Sequence, residues 1–283
     1  MIKDKHNSAS ALLKCGDKDI NLSHKIVMAI LNITPDSFFD GGVNSNETAW
    51  LQKVELSIND GAEIIDIGAV STRPGAAEVK EEEELGRLIP AIRSIVKHFP
   101  ETIISVDTYR SQVAHAVIEE GAGIINDISG GTFDPDIMKV VSAAHLPYIM
   151  MHLHGTRENI HAIPEYKNVT SDVIDFLKQQ TEKAAYQGIQ QIIWDPGFGF
   201  GKTVEQNYQL MRDLNRFKAS GHPLLVGVSR KSMINAVLGT SPANALNGTT
   251  VLNTFALLHG ADILRVHDVK EAMQAIKLVE MLT

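Results

Sequence analysis

Polar side chains stand directly after the short apolar runs of this 283-residue sequence. Buried carboxylates and lysines are costly unless they are paired, so such a set forms either a structural polar layer or a ligand site. As a set they favour a ligand site, whereas Asp66 and Asp127 fit the structural layer, because an aspartate beside a strand end often caps local backbone. The set comprises Asn32, Asp66, Asp107, Asn126, Asp127, His152, Asp195, Lys231, Arg265 and His267.

These side chains suit a ligand with two chemically different ends. Carboxylate and amide oxygens accept from a donor-rich heterocycle such as an aminopyrimidine, and cationic groups bind a phosphate-bearing anion. Asn32 with loop oxygens suits Mg²⁺, a hard ion that keeps several waters and bridges a diphosphate. The residues are Asp107, Asn126 and Asp195 for the heterocycle, and Arg73, Arg265 and His267 for the anion.

A glycine-rich segment, DPGFGFGKT at 195–203, looks like a phosphate-binding loop. It fails that template, because G-x-x-x-x-G-K-T requires glycine where Pro196 stands, and a P-loop NTPase is rejected. We expect the glycines to bring backbone close to a flat ligand, with Phe200 available for stacking.

Two other loops carry side chains that suit a substrate. The segment 34–42 is rich in turn-forming residues and contains the pair Phe38 and Phe39, which suits a lid better than an ordinary surface loop. The segment 71–75 holds Arg73 on a turn stiffened by proline, suited to phosphate or carboxylate.

Lys231 and a histidine pair leave alternatives open. Lys231 could form a Schiff base, as in barrel aldolases, or act as a charged hydrogen-bond donor, and the residues alone do not decide. His152 and His154 have the H-x-H spacing of a zinc hydrolase. The other strand ends offer only carboxylates and one histidine, His267, so the zinc interpretation has little support. The run 81–84, four glutamates, is interpreted as a solvated helix start.

The elements that must position these residues alternate along the chain. Nearly all-apolar runs predict buried parallel strands at 26–31, 64–67, 103–106, 124–125, 148–151, 192–194, 224–228 and 263–266. Helical spacing lies between most of them, at 47–60, 81–97, 111–120, 135–144, 171–187, 204–220, 243–258 and 270–282. Eight such units predict an α/β fold, a (β/α)8 TIM barrel whose strand ends form the active-site mouth; an open doubly wound sheet is the alternative.

Composition sets further limits. With 44% apolar and 21% charged residues the chain can bury a sizeable core, and its net charge of −8 argues against non-specific nucleic-acid binding. A single cysteine, Cys15, excludes an intramolecular disulfide and a cysteine-rich zinc site. Because no apolar run suits a signal peptide or membrane span, a cytoplasmic protein without membrane association is expected. We predict an N-terminal arm or hairpin at 1–24, turning at Gly16, and one barrel domain at 25–283.

Seven motifs together resemble the dihydropteroate synthase family, in the family's order and over nearly the whole chain. They are MAILNITPDSF at 28–38, STRPG at 71–75, VDT at 106–108, INDI at 125–128, DPGFGFGK at 195–202, SRKS at 229–232 and RVHDV at 265–269. The resemblance implies a (β/α)8 barrel, usually a homodimer and a target of sulfonamides. It also implies a transferase of folate biosynthesis that joins 4-aminobenzoate to 6-hydroxymethyl-7,8-dihydropterin diphosphate with Mg²⁺ present, releasing diphosphate.

The resemblance also implies residue roles. The pterin would be held by Asp107, Asn126, Met150, Asp195 and Lys231, which makes Lys231 a hydrogen-bond donor instead of a Schiff-base lysine. The diphosphate end would be Asn32, Arg73, Arg265 and His267, with Asn32 as the metal contact. The aminobenzoate pocket would be Thr72, Pro74, Phe200 and Ser232, under a lid bearing Phe38 and Asp40.

The reaction implied by the resemblance is dissociative, since diphosphate departs before the arylamine attacks the exocyclic carbon. Other hypotheses are a pterin-binding methyltransferase of the corrinoid kind, a non-catalytic pterin-binding paralogue and, more distantly, an aldolase using Lys231. The cationic cluster of Arg73, Arg265 and His267 favours the synthase, because a methyl donor needs no such cluster.

Overall fold

Parallel strands surrounded by helices make up most of the computed structural model, which describes residues 12–33, 43–70, 79–160 and 162–282. The strands are β1 (Leu12–Cys15), β2 (Lys18–Asn21), β3 (Ile26–Asn32), β4 (Ile64–Gly68), β5 (Ile103–Asp107), β6 (Ile124–Asp127), β7 (Tyr148–Met151), β8 (Ile192–Asp195), β9 (Leu225–Val226) and β10 (Ile263–Val266). The helices are α1 (Val43–Asn59), α2 (Glu81–His98), α3 (Ser111–Glu119), α4 (Ile137–Ala144), α5 (Val169–Tyr186), α6 (Val204–Arg212), α7 (Leu214–Lys218), α8 (Ser232–Leu238), α9 (Leu246–Leu258) and α10 (Val269–Glu280).

The eight parallel strands form a barrel, as predicted. Their order is β8-β7-β6-β5-β4-β3-β10-β9, so strands that follow each other in the sequence are paired except β8 and β9, and β10 joins β3. The remaining gap is bridged where Trp194 of β8 pairs with Leu224, and the Trp194 N–H donates to Pro223 O at 2.9 Å. Bonding across this gap excludes the open doubly wound sheet.

Alternation along each strand separates two apolar layers. One set of side chains faces the helices, and the other fills the barrel at the N-terminal ends of the strands, where Met28, Ile64, Ile149 and Ile263 are fully buried. Both faces of the strands are therefore covered, which explains why their sequences are nearly all apolar. The interior above this layer, towards the C-terminal ends, is left to polar residues.

The predicted hairpin is present and covers the bottom of the barrel. β1 and β2 pair antiparallel with Cys15 opposite Lys18, and Gly16 adopts a φ of 74° in the turn between them. Leu13, Cys15 and Ile20 pack on the interior layer. Gln191 ties the hairpin to the barrel, since its amide accepts from Lys14 N at 2.6 Å and donates to Lys14 O at 3.1 Å.

Two helix predictions required correction. The helix expected at 204–220 is divided into α6 and α7 at Asp213, whose carboxylate accepts from Thr170 Oγ1 at 2.6 Å. The helix expected at 243–258 begins at Leu246 after a short 3-10 turn, and α8 was not predicted. None of the helices in the described ranges has the length and apolar character needed to cross a bilayer.

Candidate active site

A buried ion-pair network occupies the upper barrel interior. Arg265 of β10 donates through Nε to Asp66 Oδ2 at 2.7 Å and through Nη2 to Asp107 Oδ2 at 3.1 Å. The same Asp66 carboxylate accepts from Asn126 Nδ2 at 3.1 Å and from Ser105 Oγ at 2.6 Å. Strands β4, β5, β6 and β10 are thus connected through the Asp66 carboxylate. The predicted strand-end residues Asp107, Asn126 and Arg265 lie together around it.

The two aspartates assigned to a structural layer behave differently. Asp127 caps local backbone as expected, since it accepts from Ser129 N at 2.7 Å and Gly131 N at 2.8 Å. The expectation that Asp66 does the same is wrong, because its described partners are side chains of three other strands. It is the fully buried anion on which Arg265 is anchored.

Asp107 is an unusually basic carboxylate. Burial is the main cause and raises its pKa to about 7, with Asp66, Glu84 and Asp127 adding in the same direction while Arg265 opposes them. Its side chain keeps 19% exposure at the mouth of the barrel. A carboxyl group balanced near neutrality can accept a hydrogen bond from a ligand when ionised or donate one when protonated.

Asp195 and Lys231 form a second charged group across the mouth. Asp195, at the end of β8, accepts from Gly197 N at 2.8 Å, and Lys231 donates to Phe198 O at 2.6 Å. Burial raises the Asp195 pKa, which Lys231 chiefly opposes, and burial lowers the Lys231 pKa to about 8. The lysine is therefore held against the glycine-rich loop that follows Asp195, as a charged donor would be.

Phe200 packs with Met151, whereas the predicted pocket residue was Met150. Met150 lies on the outer face of β7, where its sulfur accepts from Thr181 Oγ1 at 3.9 Å, so the prediction that it lines the pocket is wrong. Met151 points to the opposite side of the strand and packs with Phe200. The reason is the two-residue alternation of strands, which reverses the facing of every side chain when an alignment is displaced by one residue.

His267 is oriented by Ser229. The serine hydroxyl accepts from His267 N at 3.2 Å and lies 3.0 Å from Nδ1, so it holds both the backbone and the ring of this residue. Burial, followed by nearby Lys53, Arg265 and Arg230, lowers the His267 pKa to about 4. At neutral pH this residue is a neutral N–H donor among cations.

Asn32 lies beside Asp107 at the rim. A Cβ placed on Gly68, between the two strands, would be 3.5 Å from Asn32 Oδ1 and 3.8 Å from Asp107 Oδ2. Because Gly68 has no side chain, β4 places no side-chain atom between these two oxygens. No cluster of three histidine, cysteine or acidic side chains with metal-binding geometry occurs in the described ranges.

Several predicted residues fall outside the structure or apart from the network. Ser232 is exposed at the first position of α8, next to Lys231. The other five lie outside the described residues: Phe38, Asp40, Thr72, Arg73 and Pro74. His152 is buried and His154 exposed, and the described chain brings no third metal ligand to them.

Sequence reasoning missed three features. Lys202 is buried behind the glycine-rich loop and bonds to its carbonyls, whereas only its place in a P-loop template had been considered. Glu84 is buried and ion-paired with Arg110, so the solvated interpretation of the four glutamates is wrong at this position. Lys53 of α1 adds a cation near His267 that no strand-end pattern could indicate.

Comparisons with known proteins agree with this arrangement. Residues 28–267 match the family model described as pterin binding enzyme. The dihydropteroate synthase of Escherichia coli (strain K12) is 43% identical over 263 residues, which cover 92% of this chain and 93% of the relative.

Solved structures give the same relationship. The Xanthomonas albilineans dihydropteroate synthase with 4-aminobenzoic acid aligns with a TM-score of 0.90 and 36% identity, covering 96% of this chain and 98% of the other. The same enzyme in complex with 7,8-dihydropteroate aligns with a TM-score of 0.86 and 33% identity over the same shares. The chain belongs to the pterin binding enzymes and, within them, to the dihydropteroate synthase family.

Proposed function

We propose that this transferase condenses 4-aminobenzoate with (7,8-dihydropterin-6-yl)methyl diphosphate to give 7,8-dihydropteroate and diphosphate, with the pterin bound in the barrel mouth. The observation that carries the proposal is the polar set at the strand ends, in which buried Asn126 and Asp195 and half-buried Asp107, Lys231 and Arg265 surround one interior. The Xanthomonas albilineans relative, solved with 4-aminobenzoic acid and with 7,8-dihydropteroate, supports the proposed arylamine substrate and the proposed product.

The pterin ring is assigned to the deepest part of this site. Its amino group and ring N–H groups are donors, and Asp195 and Asn126 supply buried acceptors for them, with the Asp107 carboxylate beside them. Lys231 supplies a charged donor for the ring's carbonyl and nitrogen acceptors. Met151, in place of Met150, provides the apolar surface for the flat ring.

The diphosphate is assigned to the cationic side of the mouth. Arg265 and His267 are the described residues on this side, and Arg73 is expected to join them from its loop. Mg²⁺ fits this end, because Asn32 supplies a hard oxygen and few protein ligands are needed for an ion that also binds diphosphate and water. When bound there, the ion would neutralise charge on the leaving diphosphate.

The aminobenzoate is assigned to the outer rim. Phe200 offers a ring face, and Ser232 lies exposed beside Lys231. Thr72 and Pro74 are proposed to complete this pocket, and the loop with Phe38 and Asp40 to close over it.

The chain's own groups support a dissociative substitution. The bond between the exocyclic methylene carbon and the diphosphate oxygen breaks, and its electron pair leaves with the diphosphate towards Arg265 and His267. The arylamine nitrogen then forms the new bond to that carbon and releases a proton. Because the pterin delocalises the charge, positioning by Asp195 and Lys231 is the protein's main task, and no strong base is required to start.

We also propose that the chain works as a cytoplasmic homodimer. Exposed apolar side chains concentrate on α8 and α9, and a helix with apolar residues on both faces requires a second surface to cover it. On these two helices they are Val237, Leu238, Leu246, Val251 and Leu258. The cytoplasmic assignment rests on the single buried cysteine, Cys15, which needs no oxidising compartment.

A product assay with paired variants tests the proposed reaction. Purified protein, Mg²⁺ and both substrates should release diphosphate and dihydropteroate in equal amounts, and omission of either substrate should abolish dihydropteroate. We expect Lys231→Ala and Asp195→Asn to lower kcat/KM by about a hundredfold, because each removes a charged hydrogen-bond partner in a buried site. Lys139→Ala and Asp136→Asn alter the same residue types in an exposed pair and should change nothing.

Binding of the dihydropterin diphosphate without formation of either product would overturn the proposed reaction.

A further inference from the structure

Lys202 is buried directly behind the glycine-rich loop. Its ammonium group donates to Gly197 O at 2.8 Å and Phe200 O at 3.0 Å, and lies 3.1 Å from His152 Nδ1. The amine therefore has two carbonyl acceptors and one ring nitrogen within hydrogen-bond distance, which matches the number of donors that a lysine can offer. The side chain is only 7% exposed, although burying a lysine is costly.

The loop's conformation explains why a buried hydrogen-bond donor is needed at position 202. Gly197, Gly199 and Gly201 all have positive φ values, of 72°, 81° and 54°, which turn successive carbonyls away from strand geometry. Buried carbonyls require hydrogen-bond donors. The backbone of the loop supplies one to Gly197 O, from the Phe200 N–H at 3.3 Å, and none to Phe200 O. An apolar side chain at 202 would leave these acceptors short of donors.

The same loop is bonded from its other side by a proposed substrate-binding residue. Lys231 donates to Phe198 O, and its ammonium lies 5.0 Å from the centroid of the Phe200 ring. The carbonyls of three loop residues are therefore divided between two lysines, one facing the site and one behind it. The ring of Phe200 emerges between them, packed against Met151.

We propose that Lys202 is a positioning residue for the 4-aminobenzoate pocket. Because its amine contacts the Gly197 and Phe200 carbonyls and also His152, which follows β7, it holds the loop in place and thereby fixes the Phe200 ring. The pterin end depends on it much less. Asp195 is held by Gly197 N at 2.8 Å, and the hydrogen bonds of Lys202 in the described chain go to Gly197 O, Phe200 O and His152 instead of to the Asp195 carboxylate.

The inference rests on the proposed function, and its test is steady-state kinetics with both substrates. Lys202→Met should raise KM for 4-aminobenzoate about tenfold and leave KM for the pterin diphosphate within about threefold, because the loss acts on Phe200. In a Phe200→Ala background the same substitution should have no further effect on KM for 4-aminobenzoate, since residues acting through one another are not additive.

Controls separate this role from a general loss of structure. Lys139→Met removes an exposed lysine and should leave both KM values unchanged, and Lys202→Gln, which keeps an N–H donor, should show a smaller shift than Lys202→Met. Equal rises in both KM values, additive effects with Phe200→Ala, or failure of both Lys202 variants to fold would each overturn the proposal. Absence of product from the wild-type chain would instead contradict the proposed function.

Discussion

At the residue scale, the site consists of charged groups whose types could be predicted from the sequence but whose hydrogen-bond partners could not. The strand-end pattern predicted Asp107, Asn126, Asp195, Lys231 and Arg265 as neighbours, and the structure confirms that they share one interior. Their pairing could not be predicted, because Arg265 contacts partners 199 and 158 positions away along the chain. Such contacts depend on the stagger of the strands around the barrel, which cannot be deduced from any short segment of the sequence.

Activity should depend on pH through two of these groups. Asp107, with a pKa raised to about 7, is ionised above that pH, and Lys231, with a pKa lowered to about 8, is protonated below that pH. We expect kcat/KM for the pterin diphosphate to rise as pH increases through about 7 and to fall as it passes about 8. In Asp107→Asn the acid limb should disappear, and an unchanged acid limb would assign it to another group.

Removing the central cation should cost stability. Arg265→Gln leaves Asp66 buried without its charge partner, so the free energy of unfolding should fall by about 3–5 kcal/mol in a denaturant titration. Arg93→Gln breaks an exposed pair with Glu120 and serves as the control, with little change expected. Similar losses for the two variants would show that the Asp66 pair is not buried as described.

At the element scale, periodicity located the strands well and the shorter helices poorly. Eight apolar runs became the eight barrel strands, whereas α8, with seven residues, was too short to show a helical period. No proline or glycine at Asp213 indicates a break in the sequence. The break coincides with the hydrogen bond that the Asp213 carboxylate accepts from Thr170 of α5. Met150 and Met151 show the same limit. Successive side chains of a strand lie on opposite sides, so an alignment to the family that is displaced by one residue assigns the wrong methionine to the pocket.

The hairpin turn provides an element-scale prediction. A Cβ at Gly16 meets no atom within 4 Å, so Gly16→Ala is opposed only by its φ of 74° and should lower the free energy of unfolding by about 1 kcal/mol. Gly86→Ala is the matched control, because its Cβ is equally unobstructed but lies in α2, where alanine should stabilise by about 0.5–1 kcal/mol. Chemical denaturation of both variants measures the difference, and shifts of the same sign would contradict the assigned turn.

At the scale of the whole molecule, the barrel has an apolar end and a chemical end. The hairpin covers the N-terminal end, and the polar residues collect at the C-terminal end, where loops can reach a ligand. This division was predictable from eight strand runs followed by polar residues. The dimer was expected only from the family resemblance, because exposed apolar residues on single helices carry no sequence signature of their own.

The proposed dimer gives a test at this scale. Val251→Glu places a charge on the apolar surface of α9 and should convert a dimer to a monomer in sedimentation velocity. Tyr186→Glu makes the same kind of change at an exposed aromatic residue of α5 and should leave the dimer intact. A monomeric wild-type chain, or a dimer that persists in Val251→Glu, would contradict the proposed interface.

The most direct test of the central claim is a crystal structure of the chain with the dihydropterin diphosphate bound. We expect the pterin edge within hydrogen-bond distance of Asp195, Asn126 and Lys231, and the diphosphate beside Arg265 and His267. A ligand bound outside the barrel mouth, or one whose diphosphate lies on the Asp195 side, would contradict the account.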